Sequence, residues 1–211
     1  MACATWSLSL LLAPASAPAQ AMPGSIELGG EAGRYSGGTL ARGTNLFFTG
    51  KADVDEDSIG GFWLAAHVTP RWTVEATYRR SATRVIGYSG GIFSQEPTLA
   101  GLDVTVFEAM AERTYRIGRF APYFGIGAGL TNLDIDLSDR SRRNSSRGSL
   151  AANGGARFYL TPWLGVRIEM RVRGAYLGPR AAPFDDGWRD SGRWYKSFEG
   201  TGGIFIALGG W

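Results

Sequence analysis

From Val166 to Val172 the chain alternates without a break. Val166, Ile168, Met170 and Val172 stand on one side, and Arg167, Glu169, Arg171 and, one step on, Arg173 on the other. Side chains of a strand point to opposite faces with period two, so this is one apolar ribbon backed by one charged ribbon. A soluble sheet buries the apolar ribbon and gives the charges to water. An outer-membrane barrel turns the apolar ribbon to lipid and lines its interior with the charges. The strand alone does not choose between them; the rest of the chain does.

The alternation recurs. It predicts strands over about 25–35, 58–68, 73–86, 101–116, 122–136 and 150–160, then the opening stretch to about 177, then 194–211. In the fourth the phase changes near Val106-Phe107-Glu108, which predicts a bulge there. In the last, Ile204, Phe205, Ile206 and Leu208 are apolar on both faces. The connections sort by length. "TPRW" at 69–72, "IGRFA" at 117–121 and "TPWL" at 161–164 are short, whereas 36–57, 87–100, 138–149 and 178–193 are long and polar. Alternating long and short links put every long loop at one end, as in up-and-down membrane barrels; a Greek-key sandwich has no reason to do so. Trp72, Phe120, Tyr123, Tyr159, Trp163 and Trp211 fall at the short-turn end, where a girdle of rings suits the headgroup region. The expected fold is therefore all-β, an eight-stranded antiparallel up-and-down transmembrane β-barrel over residues 22–211.

Residues 1–21 read as an export signal, with the apolar run "LSLLLA" at 8–13 and the small-x-small pattern Ala19-Gln20-Ala21. The only cysteine, Cys3, falls inside it, so the exported chain is expected to carry no thiol chemistry. Beyond residue 21 no apolar run reaches the roughly 18 residues of a membrane-crossing helix. Among the cations only Lys51 and Lys196 are lysines, and arginine is the residue suited to fixed, partly buried pairing. Acids and bases are well mixed, with no tail for a nucleic acid.

With the charged ribbons inside, Glu27, Glu31, Glu75, Glu169 and Glu199 share a narrow lumen with Arg79, Arg157, Arg167, Arg171 and Arg173. Eight strands leave room only for side chains, and an unpaired buried charge costs several kcal/mol. Five acids against five arginines is the balance that a sealed lumen requires.

The hairpins "HVTPRWTVEATYRR" (67–80) and "FYLTPWLGVRIEMRVR" (158–173) resemble those of small Gram-negative outer-membrane barrels of the OmpA, OmpW and opacity-porin types. "GGIFIALGGW" at 202–211 resembles their closing strand, and Trp211 their terminal aromatic, where Phe is more usual. The resemblance implies the outer membrane of a Gram-negative bacterium, insertion by the barrel-assembly machinery, and contact with lipid and lipopolysaccharide. A monomer is expected, and, in a departure from the OmpA type, no peptidoglycan-binding domain is expected after Trp211.

Little chemistry competes with this reading. Some such barrels edit lipid A with a His and a Ser, but the one histidine, His67, falls near the short-turn end with no serine beside it. "DVDED" at 53–57 spaces its acids for a divalent cation yet lacks the Gly and Glu of an EF-hand at Ser58 and Leu64. Arg140, Arg142, Arg143 and Arg147 crowd one long loop and are candidates for lipopolysaccharide phosphates. No nucleotide fingerprint or His/Cys metal set is present, so neither an enzyme nor a cofactor is expected. The expected role is structural or surface-interactive. A narrow channel or carrier for small apolar solutes is the first alternative, and a soluble exported β-domain with an internal ligand the second.

Overall fold

Along each strand the side chains alternate between buried and exposed, and the alternation follows the sequence pattern residue by residue. The computed structural model describes residues 23–45, 48–89, 98–137, 142–177 and 194–209. The strands are β1 (Ile26–Gly37), β2 (Thr39–Asn45), β3 (Phe48–Val54), β4 (Asp57–His67), β5 (Trp72–Ser89), β6 (Thr98–Thr114), β7 (Phe120–Leu137), β8 (Arg142–Tyr159), β9 (Leu164–Tyr176) and β10 (Trp194–Leu208). No helix among the described residues is long and apolar enough to cross a membrane.

Eight of these strands close on themselves, in the order β5-β4-β1-β10-β9-β8-β7-β6 and back to β5, all antiparallel. One row of paired residues fixes the geometry. It runs from Ile206 through Leu28, Leu64, Ala76, Ala109, Ala128, Leu150 and Gly174 to Lys196. The row returns to β10 displaced from 206 to 196, a stagger of ten residues. At about 3.3 Å per residue and about 4.8 Å between strands, ten over eight gives a strand tilt of about 40°. Each residue then rises about 2.5 Å along the barrel axis.

The outer wall is apolar through its middle. Phe62, Phe124, Ile126, Ile168, Met170 and Ile204 each leave more than half of their surface outside the fold, up to 71% for Ile126. Trp72, Tyr115, Phe120, Phe158 and Trp163 ring the short-turn end, and Tyr176 and Trp194 meet at a tilt near the other, 5.7 Å between centroids. This is the banded exterior of a barrel in lipid. Inside, glycines admit the large rings. A Cβ on Gly29 would lie 2.3 Å from the Trp63 ring, and one on Gly155 would lie 2.7 Å from the Tyr123 hydroxyl.

Four expectations are corrected. Much of the stretch 36–57 expected as a loop is a hairpin, β2–β3, whose second strand continues the wall by pairing with the end of β5. Likewise, part of 138–149 is strand: β8 begins at Arg142 and pairs as far as Asp136. The bulge at Val106–Glu108 is absent, and β5–β6 pairing runs through those residues in register. What changes there is the lumen's chemistry, from Val104 and Val106 to Glu108 and Glu112, on one unbroken inward face. Tyr123 does not belong to the girdle; with Tyr159 it points inward, 4% and 2% exposed. In the closing strand Phe205 is the inward residue, packed edge-on against Tyr159, while Ile204, Ile206 and Leu208 face out. Trp211, Arg140 and residues 1–21 lie outside the described residues.

Candidate functional site

The lumen is layered. Toward the short turns Trp63, Ala65, Ala121, Tyr159 and Phe205 form a small apolar floor. Beside it and above it stands a web of buried charge. All ten residues expected to line the lumen are buried there, together with Glu108, Glu112 and His67.

Glu169 on β9 is the hub. It accepts from Arg79 Nη2 at 2.6 Å, Tyr123 Oη at 2.8 Å, Asn153 Nδ2 at 2.9 Å and Arg171 Nε at 3.0 Å, and it pairs with Arg167. Arg79 reaches on to Glu31 at 2.5 Å and Glu199 at 2.8 Å. Arg173 holds Glu108 at 2.5 Å and pairs with Glu199. Arg171 bridges Glu108 at 2.7 Å and Glu75 at 3.2 Å. Lower down, Arg167 grips Glu75 at 2.5 Å with its guanidinium 4.5 Å from the Trp63 ring centroid. Arg157 joins Glu27 at 2.9 Å to Glu112 at 2.6 Å and lies over the Tyr123 ring. Each of the eight wall strands supplies at least one member, so the web crosses the lumen in every direction. Partnering of this quality is what offsets the desolvation of buried ions.

The charges do not balance. Among the buried described residues seven glutamates face five arginines, a formal excess of two acids within the web. Carboxylate oxygens of Glu75, Glu112 and Glu169 lie within 4.8 Å of one another. That spacing suits a cation; here Arg157 and Arg167 already bring guanidinium nitrogens within 3.7 Å of Glu112, so the trio is the acidic half of an ion-pair cluster.

His67 completes a chain at the short-turn end. Its Nε2 lies 2.9 Å from Glu27 and its Nδ1 2.9 Å from Thr73 Oγ1. A hydroxyl, an imidazole and a carboxylate in line have the order of a nucleophile triad. Thr73 is only 1% exposed, however, and Tyr159 and Arg157 close over the same Glu27, so the described residues bury the hydroxyl away from any open cleft.

Above the charges the lumen turns apolar. Tyr35, Ile59, Val85, Leu102, Val104, Val106, Leu133, Ile135, Leu177 and Tyr195 pack into one cluster with Leu40 and Val54 of the β2–β3 hairpin. The hydroxyls of Tyr35 and Tyr195 are bonded to each other at the boundary. At this level the wall has a seam. Main-chain pairing of β4 with β5 stops at Gly60↔Arg80, and β3 takes over only from Val54↔Val85. Between these points Ser81 Oγ donates to the Ser58 carbonyl and Thr83 Oγ1 to that of Asp55, both at 2.8 Å, and the Asp55 amide donates to the Arg84 carbonyl at 2.9 Å.

Of the basic residues expected to meet lipopolysaccharide, Arg147 lies on the inward side of β8 with buried Ser149, and Arg142 and Arg143 belong to the same strand. Asp53, Asp55 and Glu56 of "DVDED" border a polar recess with Ser36 and Thr39. Sequence reasoning missed Glu108 and Glu112 because the expected bulge broke their face. The alternation puts Tyr123 and Asn153 on the lumen face, but neither residue type signals that it would hydrogen-bond Glu169.

A closed, tilted, eight-stranded wall with an apolar exterior and a charged interior defines a transmembrane β-barrel. The chain belongs to the outer membrane protein beta-barrel domain family, whose model matches residues 7–187. Among solved structures it is similar to the outer membrane protein OprG of Pseudomonas aeruginosa, with a TM-score of 0.61 and 16% identity over 91% of this chain and 99% of that one. Neisserial surface protein A aligns with a TM-score of 0.57 and 12% identity over 87% and 98% of the two chains. The outer membrane protease OmpT of Escherichia coli aligns at 0.50 and 10% identity over 88% and 97%. At these identities the likeness is one of fold. No curated protein matches the chain.

Proposed function

We propose that the protein is a closed barrel of the Gram-negative outer membrane with a structural or surface-interactive role, rather than an open pore or an enzyme. The luminal web carries this reading: it draws on all eight wall strands and fills the section through which ions would pass. The partners that follow are outer-leaflet lipid and lipopolysaccharide outside, and the barrel-assembly machinery during insertion, with the barrel as a monomer. Planar-bilayer recording on the purified protein tests it. The wild type is expected to show no conductance steps, and Arg79→Ala/Arg173→Ala, which opens the web at its upper edge, is expected to show small ones. Steady conductance by the wild type would overturn the reading.

A second reading rests on the seam and the apolar layer behind it. A small apolar solute entering from the long-loop end would meet Ile59, Val85, Val104 and Val106 and leave sideways where the regular ladder is replaced by two hydroxyl bonds, one main-chain bond and the exposed Arg84–Asp55 pair. Ser58→Cys/Ala82→Cys would staple β4 to β5 across that gap. Uptake of an apolar fluorescent solute that is equal with the disulfide formed and reduced would dismiss this reading.

A further inference from the structure

The outer wall carries cations at its upper edge, and they are not equivalent. Arg80 is paired with Asp103 at 3.1 Å and Arg84 with Asp55 at 3.7 Å. Arg34 on β1 and Lys196 on β10 face outward without an acidic partner among the described residues. They stand on neighbouring strands, since Arg34 pairs with Gly200 and Ser36 with Phe198, and the Gly38 amide donates to the Lys196 carbonyl at 2.8 Å. In the tilted wall this places Lys196 level with the Tyr176–Trp194 pair and Arg34 about three residues lower, or about 7 Å along the axis.

Below Lys196 the wall is hollowed. A groove of about 640 Å³ runs over Ala152 and Gly174 between Leu150, Val172 and Phe198, with the Lys196 side chain at its upper lip. This volume lies in the range of ligand-holding clefts. Beside Arg34 the wall is also bare, because a Cβ on Gly200 would meet nothing within 4 Å. A second outward groove of about 670 Å³, over Ala109, Ala128 and Ile126, has no cation at its rim. Any apolar groove in lipid takes an acyl chain. Only the first has Lys196 at its upper lip and Arg34 on the strand beside it, two cations with no acidic partner among the described residues, and such a cation at the edge of an apolar band calls for an anion.

We infer that the β8–β9–β10–β1 face is a binding site for a phosphorylated glycolipid of the outer leaflet. Lys196 and Arg34 bind its phosphates, and one acyl chain lies in the groove over Ala152 and Gly174. This rests on the membrane placement proposed above but not on the lumen's being closed, so conductance and lipid binding fail independently. The site differs from the basic segment Arg140–Arg147, which the sequence alone favoured.

The test is intact-mass measurement of the folded barrel in mild detergent. It is titrated with a synthetic bisphosphorylated glycolipid of lipid A type, its dephosphorylated form, and phosphatidylglycerol. The bisphosphorylated lipid is expected to be retained at concentrations on the order of tenfold lower than the other two. Lys196→Gln/Arg34→Gln should erase that preference, and Arg80→Gln should keep it. Ala152→Phe should weaken retention of both glycolipids. Heat-modifiable gel mobility reports the fold of each variant, and Lys196→Gln alone, at an exposed site, serves if the double variant fails to assemble. Equal retention of the two glycolipids, or a preference that survives Lys196→Gln, overturns the site. Phosphatidylglycerol bound as well as the bisphosphorylated lipid overturns its assignment to a glycolipid.

Discussion

Ile168 and Glu169 are neighbours in sequence on opposite faces of β9, and the account assigns them opposite fates. Ile168 is 66% exposed and Glu169 4%. Four residues above Leu164, Ile168 sits about 10 Å up the wall. An arginine there keeps its guanidinium in hydrocarbon or bends toward the short-turn interface, so Ile168→Arg should cost about 2 kcal/mol, the lower part of the range for mid-bilayer arginine. Glu169→Gln removes the anion from Arg79, Arg167 and Arg171 together. Breaking a buried pair costs about 3–5 kcal/mol. Each of the three arginines keeps another carboxylate, in Glu31 and Glu199, Glu75, or Glu108, and the web's excess of acids falls from two to one. The expected cost is therefore about 3 kcal/mol, at the low end. Reversible urea unfolding in phospholipid vesicles, followed by tryptophan emission, measures both. A soluble sheet with Ile168 in its core would also lose stability on Ile168→Arg, so Glu169→Gln decides. A change within about 0.5 kcal/mol of wild type, the range of ordinary surface substitutions, would refute the argument.

Three further outcomes follow. Tyr123→Phe deletes a hydroxyl that accepts from Arg167 at 2.7 Å and donates to Glu169 at 2.8 Å; unfolding should show a loss of about 1–3 kcal/mol, since no water replaces it. Gly155→Val puts a branched side chain against the Tyr123 hydroxyl and the Ile168 carbonyl, where a Cβ alone would lie 2.7 and 2.2 Å away; little heat-modifiable barrel should form, while Gly148→Ala, whose Cβ meets nothing within 4 Å, should assemble normally. Replacing residues 39–53 with a short turn should leave the eight-stranded wall assembled, because β2 and β3 lie outside the closed ring, and the gel shift should persist.

The wall was legible because lipid-facing and lumen-facing residues alternate without exception over long stretches such as Val166–Arg173. Loop lengths gave the up-and-down order. The β2–β3 hairpin was not legible: "RGTNLFFTG" lacks a sustained polar alternation, and its pairing with β5 is a tertiary contact. Where the inward face changed from Val104 and Val106 to Glu108, a change of chemistry was taken for a change of phase. That removed Glu108 and Glu112 from the expected lumen and gave an even charge balance where the structure has an acidic excess. Tyr123 was misplaced because an aromatic near a strand end fits a girdle and a luminal hydrogen-bond network equally well. The alternation distinguishes them, since Tyr123 is out of phase with the outward Phe124, Ile126 and Leu130, and the register sets it opposite Gly155.

The central claim is that the apolar ribbon of β9 meets lipid while the charged ribbon fills the lumen. With Cys3 replaced by Ser, single cysteines at Ile168, Met170 and Val172 can carry spin labels on the barrel in bilayers, and collision rates with oxygen and with a water-soluble nickel chelate can be compared. The account predicts that all three labels collide freely with oxygen and are shielded from nickel. Labels open to nickel, or shielded from both reagents as in a protein core, would contradict it.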